Sequence, residues 1–143
     1  MSIQEYPRIY LYRRIVQAKL FIDGHYADAI NLDSIAGSAW FSKFHFIRLF
    51  KTIYGKTPHQ YLTQVRISKA MLLLESGGSV SEACYSVGFD SITSFTGLFK
   101  RIVKKTPSGY QQFQLARKTD MNKAPLKYVP NCFAEAKGWV KIQ

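Results

Sequence analysis

Acid is what this sequence lacks most. Nine Asp and Glu stand against 20 Lys and Arg, a net charge of +11 over 143 residues. The cations are spread along the chain and not gathered in one tail. They predict a folded basic surface suited to a polyanion: nucleic acid first, an anionic membrane second. Cysteine is nearly absent. Cys84 and Cys132 lie among apolar neighbours, with neither CxxC nor metal-ligand spacing. They read as one buried reduced thiol and one incidental tail thiol, so no metal site is expected. Long apolar runs are missing too. No stretch approaches the roughly 18 residues of a membrane span, and the opening MSIQEYPRIYLYRR lacks a basic-then-apolar signal layout. The expected compartment is the cytoplasm, in association with the nucleoid. Period-two alternation never persists, so strands are not expected. Catalytic constellations are also lacking. His25, His45 and His59 are dispersed, no nucleophile sits beside a base, and no glycine-rich phosphate loop occurs. The chain is read as no enzyme, with no cofactor.

Helical spacing is what the sequence has. Hydrophobic residues make up 47% and aromatics 15%, enough for a packed core. From about Arg8 to His25, Ile9, Tyr12, Ile15, Val16 and Leu20 recur at threes and fours. Asn31 is placed to cap a short helix, Leu32 to Ala39, with Asp33 in its first turn. Ser42 caps the next, which ends at Gly55, a suitable C′ residue. Thr57-Pro58 then starts a helix to Glu75, with Tyr61, Leu62, Val65, Ala70, Leu72, Leu73 and Leu74 as its apolar set. Ser79 and Glu82 form a capping box for a short helix to about Val87. After the turn GFDS, a helix runs from Ser91 to Lys104. Thr106-Pro107 starts the last, to about Arg117.

The pattern repeats. Phe46, Phe50, Lys51, Thr57, Pro58 and Tyr61 recur 49 residues on as Phe95, Phe99, Lys100, Thr106, Pro107 and Tyr110. Upstream the offset is 48, matching Ala36 to Cys84 and Phe41 to Phe89. Each copy reads short helix, tight turn, longer helix, Thr-Pro, helix: two helix-turn-helix units in tandem. The predicted organisation is a first subdomain over 8–56, a connecting helix over 57–76, a second subdomain over 77–118 and a tail of unknown order over 119–143. The tail reads as a loosely packed extension or as a docking segment.

In SKFHFIRLFK, Ser42 to Lys51, Phe46, Leu49, Phe50 and Ile53 fall on one stripe expected to be buried. Lys43, Phe44, Ile47 and Arg48 fall on the remaining surface. Phe44 and Ile47 beside Arg48 are unusual for a merely solvated face, though packing on the neighbouring helix is the plainer alternative. In a major groove they make sense: Arg forks onto guanine O6 and N7, and apolar atoms touch thymine methyls. Lys43 and Lys51 flank the row, where phosphates would lie, and Ser42 opens a helix N-terminus suited to another. A connecting helix of about 18 residues spans roughly 27 Å, short of the ~34 Å repeat of successive groove faces. DNA bending or imperfect insertion of one helix is therefore expected, with bending costing on the order of 1–6 kcal/mol. The site should be asymmetric and about 20 base pairs long.

INLDSIAGSAWFSKFHFIRLFKTIYGKTPHQYL, followed by RISKAMLLLESGGSVSEACYSVGFDSITSFTGLFKRIVKKTPSGYQ, resembles the AraC/XylS family of bacterial transcription regulators. The resemblance covers about residues 8 to 115. Its most specific parts are VSEACYSVGFDS and the two F…LFK…TP…Y runs. It implies an all-α fold of about seven helices, as two homeodomain-like helix-turn-helix subdomains on a long connecting helix. It also implies double-stranded promoter DNA and RNA polymerase as partners, two readers in successive major-groove segments, and binding as a monomer. The base-reading residues would be Lys43, Phe44, Ile47 and Arg48 in the first reader and Ile92, Thr93, Thr96 and position 97 in the second. Ser42, Lys51, Ser91, Lys100, Arg101 and Lys104 would hold phosphates. The chain departs from the family at three places. Gly97 stands where Arg is usual, which leaves the second reader to bind by backbone and shape. Lys104 replaces the usual Gly, so that helix end is expected to be longer or less sharply turned. Trp40 replaces the Gly of the first turn and is read as covering a helix junction. No sensing domain fits in this length, so no small-molecule ligand is implied. The rival readings are a non-specific basic nucleic-acid binder and a helical protein-interaction module.

Overall fold

The computed structural model describes residues 5–36 and 43–123. The expected cap at Ser42, the Trp40 cover, Phe41, Cys132 and the tail beyond 123 lie outside them. Among the described residues there are seven helices and no strand: α1 (Glu5–His25), α2 (Leu32–Ala36), α3 (Lys43–Tyr54), α4 (Pro58–Glu75), α5 (Val80–Ser86), α6 (Ile92–Val103) and α7 (Pro107–Lys123).

Local chemistry sets most of these boundaries. The Thr57 side chain accepts from the Gln60 amide at 3.2 Å while Gln60 returns a bond to the Thr57 amide at 3.0 Å. Ser79 and Glu82 do the same at the start of α5. Each box satisfies amides that a helix start leaves open. At the far ends, Gly55 closes α3 in the left-handed region (φ 76°). Lys104 closes α6 in that same region (φ 71°), its amide bonded to the Lys100 carbonyl at 2.9 Å. The missing glycine therefore makes α6 neither longer nor less sharply turned. The chain turns on a strained lysine instead, and Thr106-Pro107 starts the next helix just beyond it.

Three further expectations are corrected. Helix α1 starts at Glu5, not near Arg8, and Pro7 fits because first-turn amides need no intrahelical partner. Of its expected stripe only Ile15 is buried; Ile9, Tyr12, Val16 and Leu20 are exposed, and Ala18 and Ile22 are buried instead. Helix α7 runs to Lys123 and takes in the first five residues assigned to the tail, 119–123.

Two cores form, and α4 serves both. The first joins Ile15, Ala18 and Ile22 of α1 to Ile35, Phe46, Phe50 and Leu62. The second joins Ile67, Ala70 and Leu74 of α4 to Ala83, Cys84, Val87, Phe95, Phe99 and Tyr110. Leu72 and Leu73 of the expected α4 set are exposed, and Ile67 takes a core place the pattern missed. The repeat survives in three dimensions. Phe50 meets Tyr61 edge-on at 5.9 Å and 63°, and Phe99 meets Tyr110 at 5.6 Å and 65°. Tyr61 donates to Asp23 at 2.6 Å, and Tyr110 donates to Glu75. Each helix after a Thr-Pro is thus tied to a carboxylate of the long helix that precedes its unit's short one, α4 to α1 and α7 to α4.

Candidate nucleic-acid interface

Helix α3 is held by its back. Phe46 and Phe50 are buried, one turn apart with ring centres 6.1 Å apart. Leu49 is half-buried, but Ile53, expected in the same stripe, is exposed. That anchoring presents the opposite face. Phe44 is 79% exposed. A phenyl ring so exposed on a helix fixed this firmly gives up most of the burial that usually stabilises it. Arg48 is exposed one turn further on, and its carbonyl accepts from the Thr52 hydroxyl at 2.8 Å. Lys51 is exposed beyond it. Lys43 is exposed and pairs with Asp33 of α2 at 2.5 Å. Exposed pairs of this kind contribute little stability, so a phosphate can compete for the ammonium.

Ile47 stands apart from its neighbours. It is half-buried, packs against the first core and lines an apolar groove of about 250 Å³ with Ile30, Leu32, Ile35, Pro58 and Leu62. Part of its side chain therefore serves packing, as the plainer alternative had it.

Helix α6 repeats the anchoring with Phe95 and Phe99 buried, ring centres 5.6 Å apart. Ser91 caps it, accepting from the Ser94 amide at 3.3 Å. Ile92 and Thr93 are exposed and Thr96 is half-buried. At Gly97 a Cβ would meet no atom within 4 Å. Residues 92, 93, 96, 97 and 100 share one helical face. Lys100 adds the only cation of that row, and Lys104 stands at the helix end. Arg101 is on another side. It lines a groove of about 340 Å³ between α6 and the first half of α4, with Lys56, His59, Gln64, Leu98 and Ile102. The two faces are thus unequal: one carries Phe, Arg and two Lys, the other two threonine hydroxyls, one Ile, one Lys and a gap.

Sequence reasoning missed Arg66. It sits in α4 between the contributions to the two cores. Its Nε donates to the Tyr26 carbonyl at 2.7 Å, and its Nη2 donates to the Asp28 carbonyl at 2.9 Å. Burial pushes its guanidinium below the ordinary value, and nearby Asp90 opposes that. The available signal was a cation flanked by Val65 and Ile67 in the middle of the connector.

A family model described as "Helix-turn-helix domain" matches residues 35–112. The "Transposon Tn10 TetD protein" of Escherichia coli is 36% identical over 97 residues, which are 67% of this chain and 70% of that protein. The "Uncharacterized HTH-type transcriptional regulator YdeC" of Bacillus subtilis is 36% identical over 100 residues, 69% of this chain and 34% of that protein. The chain thus spans about a third of YdeC, and 36% of the MmsAB operon regulatory protein of Pseudomonas aeruginosa. Among solved structures, the C-terminal domain of AraT, a response regulator from Geobacillus stearothermophilus, superposes with a TM-score of 0.66 at 26% identity, over 70% of this chain and 84% of that one. The DNA-binding domain of AdpA, solved in complex with a target DNA, gives 0.65 at 25% identity, over 78% and 96%.

Proposed function

Because the chain belongs to the AraC/XylS-type family of helix-turn-helix transcription regulators, we propose that it binds an asymmetric promoter site by laying α3 and α6 in successive major-groove segments. The observation that carries this is the face of α3. Phe44 is left 79% exposed beside exposed Arg48, on a helix pinned from behind by Phe46 and Phe50. An apolar ring and a forked donor side by side match a thymine methyl and a guanine edge. The α3 face supplies most of the base reading. The α6 face, with Ser91, Lys100 and Lys104 around Ile92, Thr93 and Thr96, holds mainly backbone and shape. Both readers lie in one chain, so a monomer fills the site, with RNA polymerase as the protein partner beside it.

Selection of bound duplexes from a random library tests this. The expected outcome is a non-palindromic motif of about 20 base pairs, sharply defined in one half and loosely in the other. Enrichment of no motif, with affinity governed by salt alone, would instead make the chain a non-specific basic binder.

A further inference from the structure

Two recognition helices read one site only if something fixes the distance and rotation between them. Helix α4 supplies the distance. Each unit packs on α4 through its own core, however, so the shared helix does not by itself fix the rotation of one unit against the other. The contacts between the units, other than α4 itself, therefore decide how firmly the readers are set.

Those contacts converge on Arg66. It sits in α4 between Leu62 of the first core and Ile67 of the second. On one side its two bonds, at 2.7 and 2.9 Å, hold the Tyr26 and Asp28 carbonyls, in the segment joining α1 to α2. On the other side its guanidinium lies 5.7 Å from the centre of the Phe89 ring. Phe89 belongs to the turn between α5 and α6 and packs on Phe95 at 5.2 Å, so it touches the helix that forms the second reader. Ser91, the cap of that helix, follows two residues later.

Gly88 closes the same junction. Its φ is +101°, and a Cβ there would lie 2.9 Å from the Tyr26 carbonyl oxygen, 3.0 Å from that of Ala27 and 3.1 Å from Arg66 Cζ. The turn of the second unit thus presses directly on the inter-helix segment of the first. Tyr26 is half-buried against both cores, with the Lys69 ammonium 5.7 Å from its ring centre. A planar guanidinium suits this place as lysine does not. Its edge offers two donors in a fixed fork, and its face remains free to lie against a ring.

We infer that Arg66 is a positioning residue that locks the segment 26–28 of the first unit to the Gly88–Phe89 turn of the second, and so sets the half-site spacing that the protein accepts. This rests on the two-reader site proposed above. One inserted base pair moves the second half-site by roughly 3.4 Å and rotates it by roughly 34°. A locked pair of readers cannot follow that displacement; a rocking pair can follow part of it.

The test uses the full chain and the selected site, with one base pair inserted or removed between its halves. The wild type is expected to lose about tenfold or more in affinity at each altered spacing, as a misplaced bidentate contact would cost. Arg66→Met keeps an unbranched apolar stem and removes the guanidinium with its donors. It should bind the selected spacing more weakly and lose less than about threefold on changing it, with helical content intact by circular dichroism. Arg66→Lys, which keeps the charge but not the fork, should fall between them. It carries the test if the Met variant does not fold. A spacing penalty in either folded variant equal to the wild type's overturns the inference, and so does unfolding of both, which would make Arg66 a stability residue. A wild type that does not prefer the selected site over scrambled DNA at equal salt sinks the two-reader site itself, and this inference with it. A wild type that prefers the site yet tolerates every spacing sinks the lock alone.

Discussion

At residue scale, the front of α3 is decided by two side chains that packing leaves free, Phe44 and Arg48. Arg48→Ala is expected to lower affinity for the selected site by about 1–3 kcal/mol and to relax discrimination at one or two base pairs. Competition with single-base-pair variants of the site checks this, and equal loss on every sequence would make Arg48 a phosphate contact. Lys104 poses a different question. A non-glycine residue at φ 71° costs about 1–2 kcal/mol, partly offset by the greater freedom glycine has in the unfolded chain. Lys104→Gly should therefore raise stability by about 0.5–1 kcal/mol, seen as a higher urea midpoint at unchanged m. The same variant should lower the salt slope of DNA binding by about one unit if Lys104 meets a phosphate. The first effect without the second would leave the lysine unexplained by either packing or binding.

At the scale of the element, the two tyrosine locks make a prediction in pH. Burial, then the hydrogen bond to Glu75 and its charge, push the Tyr110 hydroxyl up to about 12 from an ordinary value of 10. A raised folded-state value means that the folded protein favours the protonated form. The stabilisation is complete below pH 10, falls as pH rises towards about 12 and is gone above it. Tyr110→Phe should thus be less stable than the wild type by about 2 kcal/mol at pH 8. The gap should close across the alkaline window in denaturant titrations; a constant gap would mean that the hydroxyl is not what Glu75 holds. Asp23 works in the opposite direction. Burial raises its pKa, but the hydrogen bonds from Lys19 and Tyr61 outweigh that and leave it lowered. Its stabilisation is present above an ordinary value of 3.8 and is lost as pH falls below it.

Local chemistry was also what could be read in advance. The starts of α4, α5 and α6 follow from a hydroxyl with its partner amide three residues on, and the repeat of Phe, Phe, Thr-Pro and Tyr placed both cores. What could not be read depended on which of two surfaces a neighbour chooses. Helix α1 carries one apolar row at Ile9, Tyr12, Val16 and Leu20 and another at Leu11, Ile15, Ala18 and Ile22. Both have helical spacing, and only packing against Phe50 and Leu62 selects the second. Ile47 and Arg101 meet the same choice between surfaces. Periodicity puts both off the core stripe, but the apolar groove beside α2 takes up the first, and the groove beside α4 takes the second. Lys104 was legible as a missing glycine, but not that a lysine would take the left-handed backbone in its place.

At the scale of the whole molecule, the two units share a frame and differ in what they show. The frame is the same pair of buried phenylalanines, the same edge-on tyrosine and the same left-handed exit. The difference runs along the whole exposed face and is largest at one position of α6, where Gly97 stands opposite Arg48 in the repeat. A Cβ at Gly97 would meet nothing within 4 Å, so the gap is open space and not a close approach that forbids a side chain. Gly97→Arg should fit without disturbing Phe95 or Phe99, and should gain up to about 1 kcal/mol of helix propensity. If the face shared by residues 92, 93, 96 and 100 meets DNA, the added cation displaces one more counterion. The slope of log affinity against log salt then steepens by about 0.9. The loosely read half of the selected motif should also gain one or two defined base pairs, turning an uneven pair of readers into a balanced one. Titrations of the variant and the wild type at four or five salt concentrations on the selected duplex decide it. An unchanged slope, with the variant folded, would place that face of α6 away from DNA and leave α3 as the sole reader.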